Sequence, residues 1–279
     1  MRSVQRTGCR SALASPTEPN ASMTVPTPAV LAAIRIMRLL RETGRPMGVT
    51  EMARALDLNK STAHGIVATL VGEHFLSELD DTRKYQLGAA LVDLAESVRG
   101  PHALTARPFV DAYAAEGGLT GFLAIPYPKT EFLIIHRAEG SGSGFQLTLR
   151  VGERFPLTAG ALGKAYLAWQ PTHTILEIIT RVGLAGRTAA SITHTAAYLE
   201  ELAAVRKSGY GESREEYHSG IKAIASPIFD DTGSVVLLVL AAGLSQDLPP
   251  SNMKKQGLRL RGVAESITKA LGGAVPRWR

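Results

Sequence analysis

The sequence predicts a two-domain α+β protein: an N-terminal winged helix-turn-helix, a linker helix, and a C-terminal domain built on an antiparallel sheet. Three observations carry this. Between Val49 and Gly88, two short helical periods separated by a tight turn are followed by two β-like runs. Ala89 to Arg99 is an Ala-rich amphipathic stretch stopped by Gly100-Pro101. Beyond it, strand-like and helix-like segments alternate irregularly, which suits an antiparallel sheet better than a doubly wound parallel one. With 279 residues and 45% apolar content, the chain has material for two separate cores.

Residues 1–27 carry Ser, Thr, Pro and scattered Arg with no sustained hydrophobic period, and are expected to be a disordered tail. A secretory signal would need an uninterrupted apolar run, which Ser15, Pro16, Glu18, Pro19 and Asn20 break; Met23 is a candidate start. The winged domain is expected over 28–88. From Ala29, helical spacing places Val30, Leu31, Ile34, Met37 and Leu40 on one face and Arg35, Arg38, Arg41 and Glu42 on the other, with Gly44 and Pro46 ending the helix. Thr50 is the expected N-cap of the next helix, and Asp57-Leu58-Asn59 the turn after it. Lys60 opens the second helix of the motif, capped by Asn59 or Ser61. Its Ala63, Ile66, Val67, Leu70 and Val71 form the inward stripe, leaving Lys60, Ser61, His64, Gly65 and Ala68 outside. Small and hydrogen-bonding residues on that free face fit a recognition helix in a major groove. Phe75 to Leu79 and Lys84 to Leu87 then read as a hairpin whose tip carries Arg83 and Lys84 toward phosphates or a minor groove. Lys60, Ser61, Thr62, His64, Arg83 and Lys84 are therefore the expected contacts to a double-stranded DNA operator.

The net charge of +6 adds little to this. Residues 28–100 contain nine Lys or Arg and nine Asp or Glu, so DNA binding would rest on local arrangement, with Arg35, Arg38, Lys60, Arg83 and Lys84 on one side. The single cysteine, Cys9, permits no disulfide within one chain and suits a reducing cytoplasm. The longest apolar run, Val235 to Ala242, is far short of the roughly 20 residues of a membrane span and reads as a buried strand. No membrane partner is expected.

The linker helix is expected over 89–100 and the second domain over 101–273. Leu104 to Glu116 is helical. Strands follow at Thr120 to Ile125, Glu131 to Ala138 and Phe145 to Leu149, with Gly140 to Gly144 a flexible connection. That glycine run is not a dinucleotide fingerprint, because a third glycine at the required spacing and a following helix are missing. Thr158 to Ala165, TAGALGKA, fails as a phosphate-binding P-loop: glycine would be needed at Thr158 and Ser or Thr at Ala165. It reads as a loop entering a helix from Gly163 to Trp169, whose free N–H groups could hold a small anion. Further helices are expected at Ile175 to Val182, at Ala196 to Lys207 (started by Thr193 or Thr195), and at Leu258 to Leu271. Strands at Ile221 to Phe229 and Val235 to Ala242 are joined by the turn Asp230-Asp231-Thr232-Gly233.

The run Leu58-Asn59-Lys60-Ser61-Thr62-Ala63-His64, with Ala68-Thr69-Leu70 and Tyr85-Gln86-Leu87-Gly88, resembles the N-terminal domain of IclR-type (isocitrate lyase regulator) bacterial transcription regulators. Gly209, Ser213, Glu216, Ala223-Ile224-Ala225 and Ile228-Phe229-Asp230 sit at the spacings of that family's effector-domain signature, and Leu162-Gly163-Lys164-Ala165 matches a run common in it. The resemblance covers roughly Pro28 to Gly272. It implies a GAF-like sensor domain, assembly as a homodimer or dimer of dimers, and DNA affinity set by a small metabolite. Carried over by position, it implicates Ala161, Leu162, Ser213, Ala223, Leu240 and Ala242 as the effector cup, joined by Ile221 on the same strand. The chain departs from the family where Gly65 stands for the usual arginine after the histidine, so the operator sequence is not inherited. Family members that hold small carboxylates can carry serines at the Leu240 and Ala242 positions and cysteine at the Ala223 position. Apolar residues there imply a more apolar or aromatic effector, since a desolvated carboxylate needs compensating hydrogen bonds.

No catalytic constellation competes with this reading. Glu215, Glu216 and His218 lack a second histidine at metal spacing and read as a solvated acidic patch; His136, His173 and His194 are isolated, and no Gly-x-Ser-x-Gly elbow occurs. No metal, cofactor or enzymatic activity is expected. Three functions remain: a metabolite-responsive transcription regulator, which the sequence favours; a metabolite-sensing protein or enzyme that does not act on DNA; and a constitutive repressor whose second domain only dimerises.

Overall fold

The computed structural model describes residues 27–79, 82–117, 119–127, 130–140 and 149–278. The chain divides into two compact units, one ending at Leu94 and the other beginning at Ala95.

In the first unit, α1 (Pro28–Thr43), α2 (Val49–Leu56) and α3 (Lys60–Gly72) pack with a three-stranded antiparallel sheet of order β1-β3-β2, formed by β1 (Met47–Gly48), β2 (Leu76–Leu79) and β3 (Lys84–Leu87). Ile36, Leu40, Met47, Met52, Val67, Leu70 and Leu76 make the core. The hairpin register pairs Leu76 with Leu87 and Leu79 with Lys84, and Tyr85 reaches across to Met47. Gly44 closes α1 in the left-handed region with its N–H on the Leu40 carbonyl at 3.1 Å.

Two expectations fail in this unit. The buried face of α1 is Ala32, Ile36 and Leu40, while Val30, Leu31 and Ile34 are 58, 45 and 37% exposed. The helix is apolar around most of its circumference, so two stripes satisfy the same 3.6-residue period and packing against α2 and α3 selects between them. The side-chain caps are also absent. Gly48, not Thr50, is the N-cap of α2; Asn59 is the N-cap of α3, as one of the two expected alternatives, but makes no side-chain cap bond, and Ser61 lies inside the helix.

The second unit is organised on a six-stranded antiparallel sheet of order β6-β5-β4-β9-β8-β7. Its strands are β4 (Thr120–Tyr127), β5 (Glu131–Ala138), β6 (Arg154–Pro156), β7 (Gly211–Arg214), β8 (Ile221–Phe229) and β9 (Val235–Leu244). Alternation along the strands builds two cores. Phe122, Ala124, Leu238 and Leu240 face one way, into a cluster with α5 (Gly160–Leu167), α6 (Thr172–Val182) and α7 (Thr195–Ser208). Leu123, Leu237, Val239 and Ala241 face the other, against the distal part of α4 (Ala90–Gly117) and α8 (Pro250–Ala270). The continuous apolar run in β9 follows from burial on both faces. Within α4, Gly100 is non-helical at φ 64° and ψ 170°, followed by Pro101, which separates the expected linker helix from the helix after it. The β8–β9 turn forms as expected. Asp230 Oδ1 accepts from Thr232 Oγ1 at 2.7 Å and from the N–H groups of Thr232 and Ser234, bonds that hold its carboxyl below the usual carboxylate range.

β1, β6 and β7 carry no sequence signal, being two to four residues long. Among the helices that start earlier than expected are α5 at Gly160, α6 at Thr172 and α8 at Pro250, where Met253 is the only apolar residue in the first two turns. His194 precedes α7 as its N-cap, with no side-chain cap bond. Of the expected strand 145–149, residues 145–148 lie outside the described residues, as does most of the glycine run, and Leu149 is not in a strand.

The most polar feature of the interior is Lys164 on α5, whose side chain is 2% exposed. Its ammonium donates to Glu216 Oε1 at 2.7 Å, the Glu212 carbonyl at 2.9 Å and Glu201 Oε2 at 3.0 Å, which uses all three of its hydrogens. Lysine in the Leu-Gly-Lys-Ala run is therefore a structural tie between α5, α7, β7 and the loop after β7. Lys164→Met keeps the volume and removes the charge, leaving the 12%-exposed Glu216 carboxylate without its partner. A destabilisation of about 3 kcal/mol is expected, at the low end for a broken buried pair because Glu201 is partly solvated, and is measured as a lowered urea midpoint.

Candidate nucleic-acid interface and ligand cavity

α3 buries Ala63, Val67 and Leu70 and half-buries Ile66 and Val71, so the opposite face is left open. Lys60, Ser61, Thr62 and His64 are all exposed on it, together with Gly65 and Ala68. Thr69 donates its hydroxyl back to the Gly65 carbonyl at 3.0 Å, which removes that hydroxyl's hydrogen from any outward contact. Arg83 and Lys84 are exposed at the hairpin. Arg83 takes φ +49°, and Thr82 Oγ1 both donates to the Leu79 carbonyl and accepts the Lys84 N–H, fixing the turn. Arg35 is partly committed elsewhere: one of its N–H groups donates to the Leu56 carbonyl at the end of α2.

In the second unit the two halves of the expected effector cup, far apart in sequence, converge on one cavity of about 120 Å³. Ala161 and Leu162 enter it from α5, Ser213 from β7, Ile221 and Ala223 from β8, and Leu240 and Ala242 from β9. The sheet register explains the grouping, since Ala223 pairs with both Ser213 and Ala242. Close backbone approach shapes the wall. At Gly160, with φ +44°, a Cβ would stand 3.0 Å from Ser213 Oγ, and at Gly211 it would stand 2.9 Å from the Ala161 carbonyl oxygen. Larger residues at either position would push α5 off β7.

The cavity also takes residues that sequence reasoning missed: Leu149, Glu153 and Phe155 around β6, and Tyr217 and His218 beyond β7. Only the last two had a signal, their nearness to Ser213. Phe155 and Tyr217 pack with centroids 5.2 Å apart, His218 sits edge-on to Tyr217, and the Arg187 guanidinium lies 4.3 Å over the Tyr217 ring. Burial pushes the Tyr217 phenol up, keeping it a neutral donor. Glu215 and Glu216 do not form a solvated acidic patch. Glu216 turns inward to Lys164; Glu215 takes φ +65° and accepts the Gly220 N–H at 2.8 Å. The Glu215 and Glu216 carbonyls accept the hydroxyls of Thr188 and Ser191 at 2.8 and 2.7 Å. This loop is thus held from three sides, and it presents Tyr217 and His218 to the cavity.

Both units match known families. Residues 29–80 match the IclR helix-turn-helix domain, and residues 103–269 match the bacterial transcriptional regulator IclR C-terminal domain. The glycerol operon regulatory protein of Streptomyces griseus is 32% identical over 245 residues, which cover 86% of this chain and 94% of that one. The crystal structure of an IclR transcriptional regulator from Alicyclobacillus acidocaldarius superposes with TM-score 0.76 at 28% identity, covering 89% of this chain and all of that one. An IclR homologue from Microbacterium hydrocarbonoxydans, crystallised with 4-hydroxybenzoate, shares the fold at TM-score 0.73 and 22% identity, over 88% of this chain and 99% of its own. With a reader helix and hairpin in one unit and a cavity-bearing domain in the other, the chain belongs to the IclR family of transcriptional regulators, in which a DNA-binding helix-turn-helix is joined to a C-terminal effector domain.

Proposed function

We propose that this regulator binds a near-palindromic operator as a homodimer or dimer of dimers, and that a small, largely apolar organic molecule held in the cavity of the second unit sets its operator affinity. The observation that carries this is the convergence of Ala161, Leu162, Ser213, Ile221, Ala223, Leu240 and Ala242 on one open cavity. An open cavity argues against a domain that serves dimerisation alone, because its own side chains do not fill it. The working parts are a winged reader over 28–88, a linker helix over 89–100 and an effector domain over 101–273. Lys60, Ser61, Thr62 and His64 meet the major groove, and Arg83 and Lys84 meet phosphates or the minor groove. The chain works without catalysis, on DNA in the cytoplasm. Among the described residues no helix is long and apolar enough to cross a membrane.

Gel shifts with the chain's own upstream region, repeated with candidate metabolites, test the whole reading. Ser61→Trp should abolish operator binding without loss of fold, and Arg83→Ala should weaken binding to all sequences and flatten the salt dependence by about one unit of slope. Undiminished binding by Ser61→Trp would show that the reading face has been misplaced.

Ala242→Arg should remove the response to metabolite while leaving operator binding in its absence intact, since the long arginine side chain occupies the cavity and displaces ligand. In the parent, the metabolite should change operator affinity by about 5- to 150-fold, a typical coupling between sites. An unaltered response in the variant counts against the cavity.

One winged domain reads too few base pairs for useful specificity, so two copies are expected. Light scattering at micromolar concentration should give at least the dimer mass; a monomer would overturn the assembly proposed here.

A further inference from the structure

The charge around the cavity is one-sided. Glu153 is the only Asp, Glu, Lys or Arg among its lining residues. Its Oε2 accepts the Arg150 backbone N–H at 3.0 Å, a bond that leaves the negative charge in place, and no cationic side chain pairs with it among the described residues. The obvious counterions are committed elsewhere. Lys164, the only cation on α5, spends its ammonium on Glu216, Glu201 and the Glu212 carbonyl. Arg187 lies over Tyr217 and lines a neighbouring hollow, not this cavity. The sequence of residues 141–148, SGSGFQLT, contains no Lys, Arg or His.

Beside the carboxylate stand two aromatic rings, Phe155 and Tyr217, 5.2 Å apart and both in the wall. A half-buried carboxylate with no counterion is costly, and aromatic faces beside it attract cations. Resting on the reading of this cavity as the effector site, we infer that its ligand is a small organic cation, an ammonium group on an apolar or aromatic frame that pairs with Glu153. A carboxylate ligand would meet a like charge with no Lys or Arg among the described lining residues to offset it. The Ser213 hydroxyl and the uncapped first turn of α5 donate to a neutral oxygen as readily as to an anion, so they do not reverse the preference.

Three probes of similar shape and different charge separate the possibilities: benzylamine, benzyl alcohol and benzoate, titrated into the full chain at pH 8 by calorimetry. Benzylamine should bind at least about tenfold more tightly than benzoate and more tightly than the alcohol, and Glu153→Gln should bring benzylamine down to the level of the alcohol. Benzoate or benzyl alcohol binding as tightly as benzylamine overturns the inference and leaves the cavity as the effector site. A benzylamine preference that survives Glu153→Gln overturns the assignment to Glu153. Failure of all three probes to bind removes the support for the cavity as an effector site, and the inference falls with it.

Discussion

The ammonium of Lys164 is the point on which the effector unit depends. A lysine this deep in an apolar core is tolerated only because each of its three hydrogens meets an acceptor, and those acceptors come from α7, the β7 strand and the loop beyond it. The tie acts across the same contact that the glycines make possible: Gly211 lets α5 lie against β7, and Gly160 lets the start of α5 meet Ser213. Charge and close packing therefore set one geometry together. The consequence is a cavity wall whose residues come from α5, β7 and the 215–220 loop yet keep a single arrangement.

In the proposed function, that arrangement is the physical route by which a ligand is felt. The loop with Tyr217 and His218 is anchored at Glu216 by Lys164 and at its carbonyls by Thr188 and Ser191. A molecule that presses on Tyr217 works against bonds that reach α5 and the segment between α6 and α7. Packed interiors respond to such pressure by shifting between discrete arrangements, which is what coupling to a second site requires.

The DNA-reading unit is stabilised differently. Its core is small, a handful of aliphatic side chains and two methionines, and its polar groups lie outside. α1 leaves Val30, Leu31 and Ile34 facing solvent, and α4 leaves Val92 and Leu94 exposed.

The sequence by itself determined the order and type of nearly every element longer than four residues, the inward stripe of α3, the antiparallel character of the sheet and the half of the cavity lining that falls on the signature residues. These were legible because helix and strand periods are local, and because the IclR signature residues keep their spacing here. Only the tertiary structure decided which of the two apolar stripes of α1 is buried, since both satisfy the helical period and the choice belongs to the partners α2 and α3. It also turned Glu216 inward: a Glu-Glu pair reads as solvated until Lys164, 52 residues earlier, is seen to reach it. The same holds for Glu153 and Phe155. Glu153 precedes, and Phe155 lies within, a strand too short to leave a pattern, and they enter the cavity because β6 pairs with β5 at the sheet edge, a contact that no local property of residues 153–156 encodes.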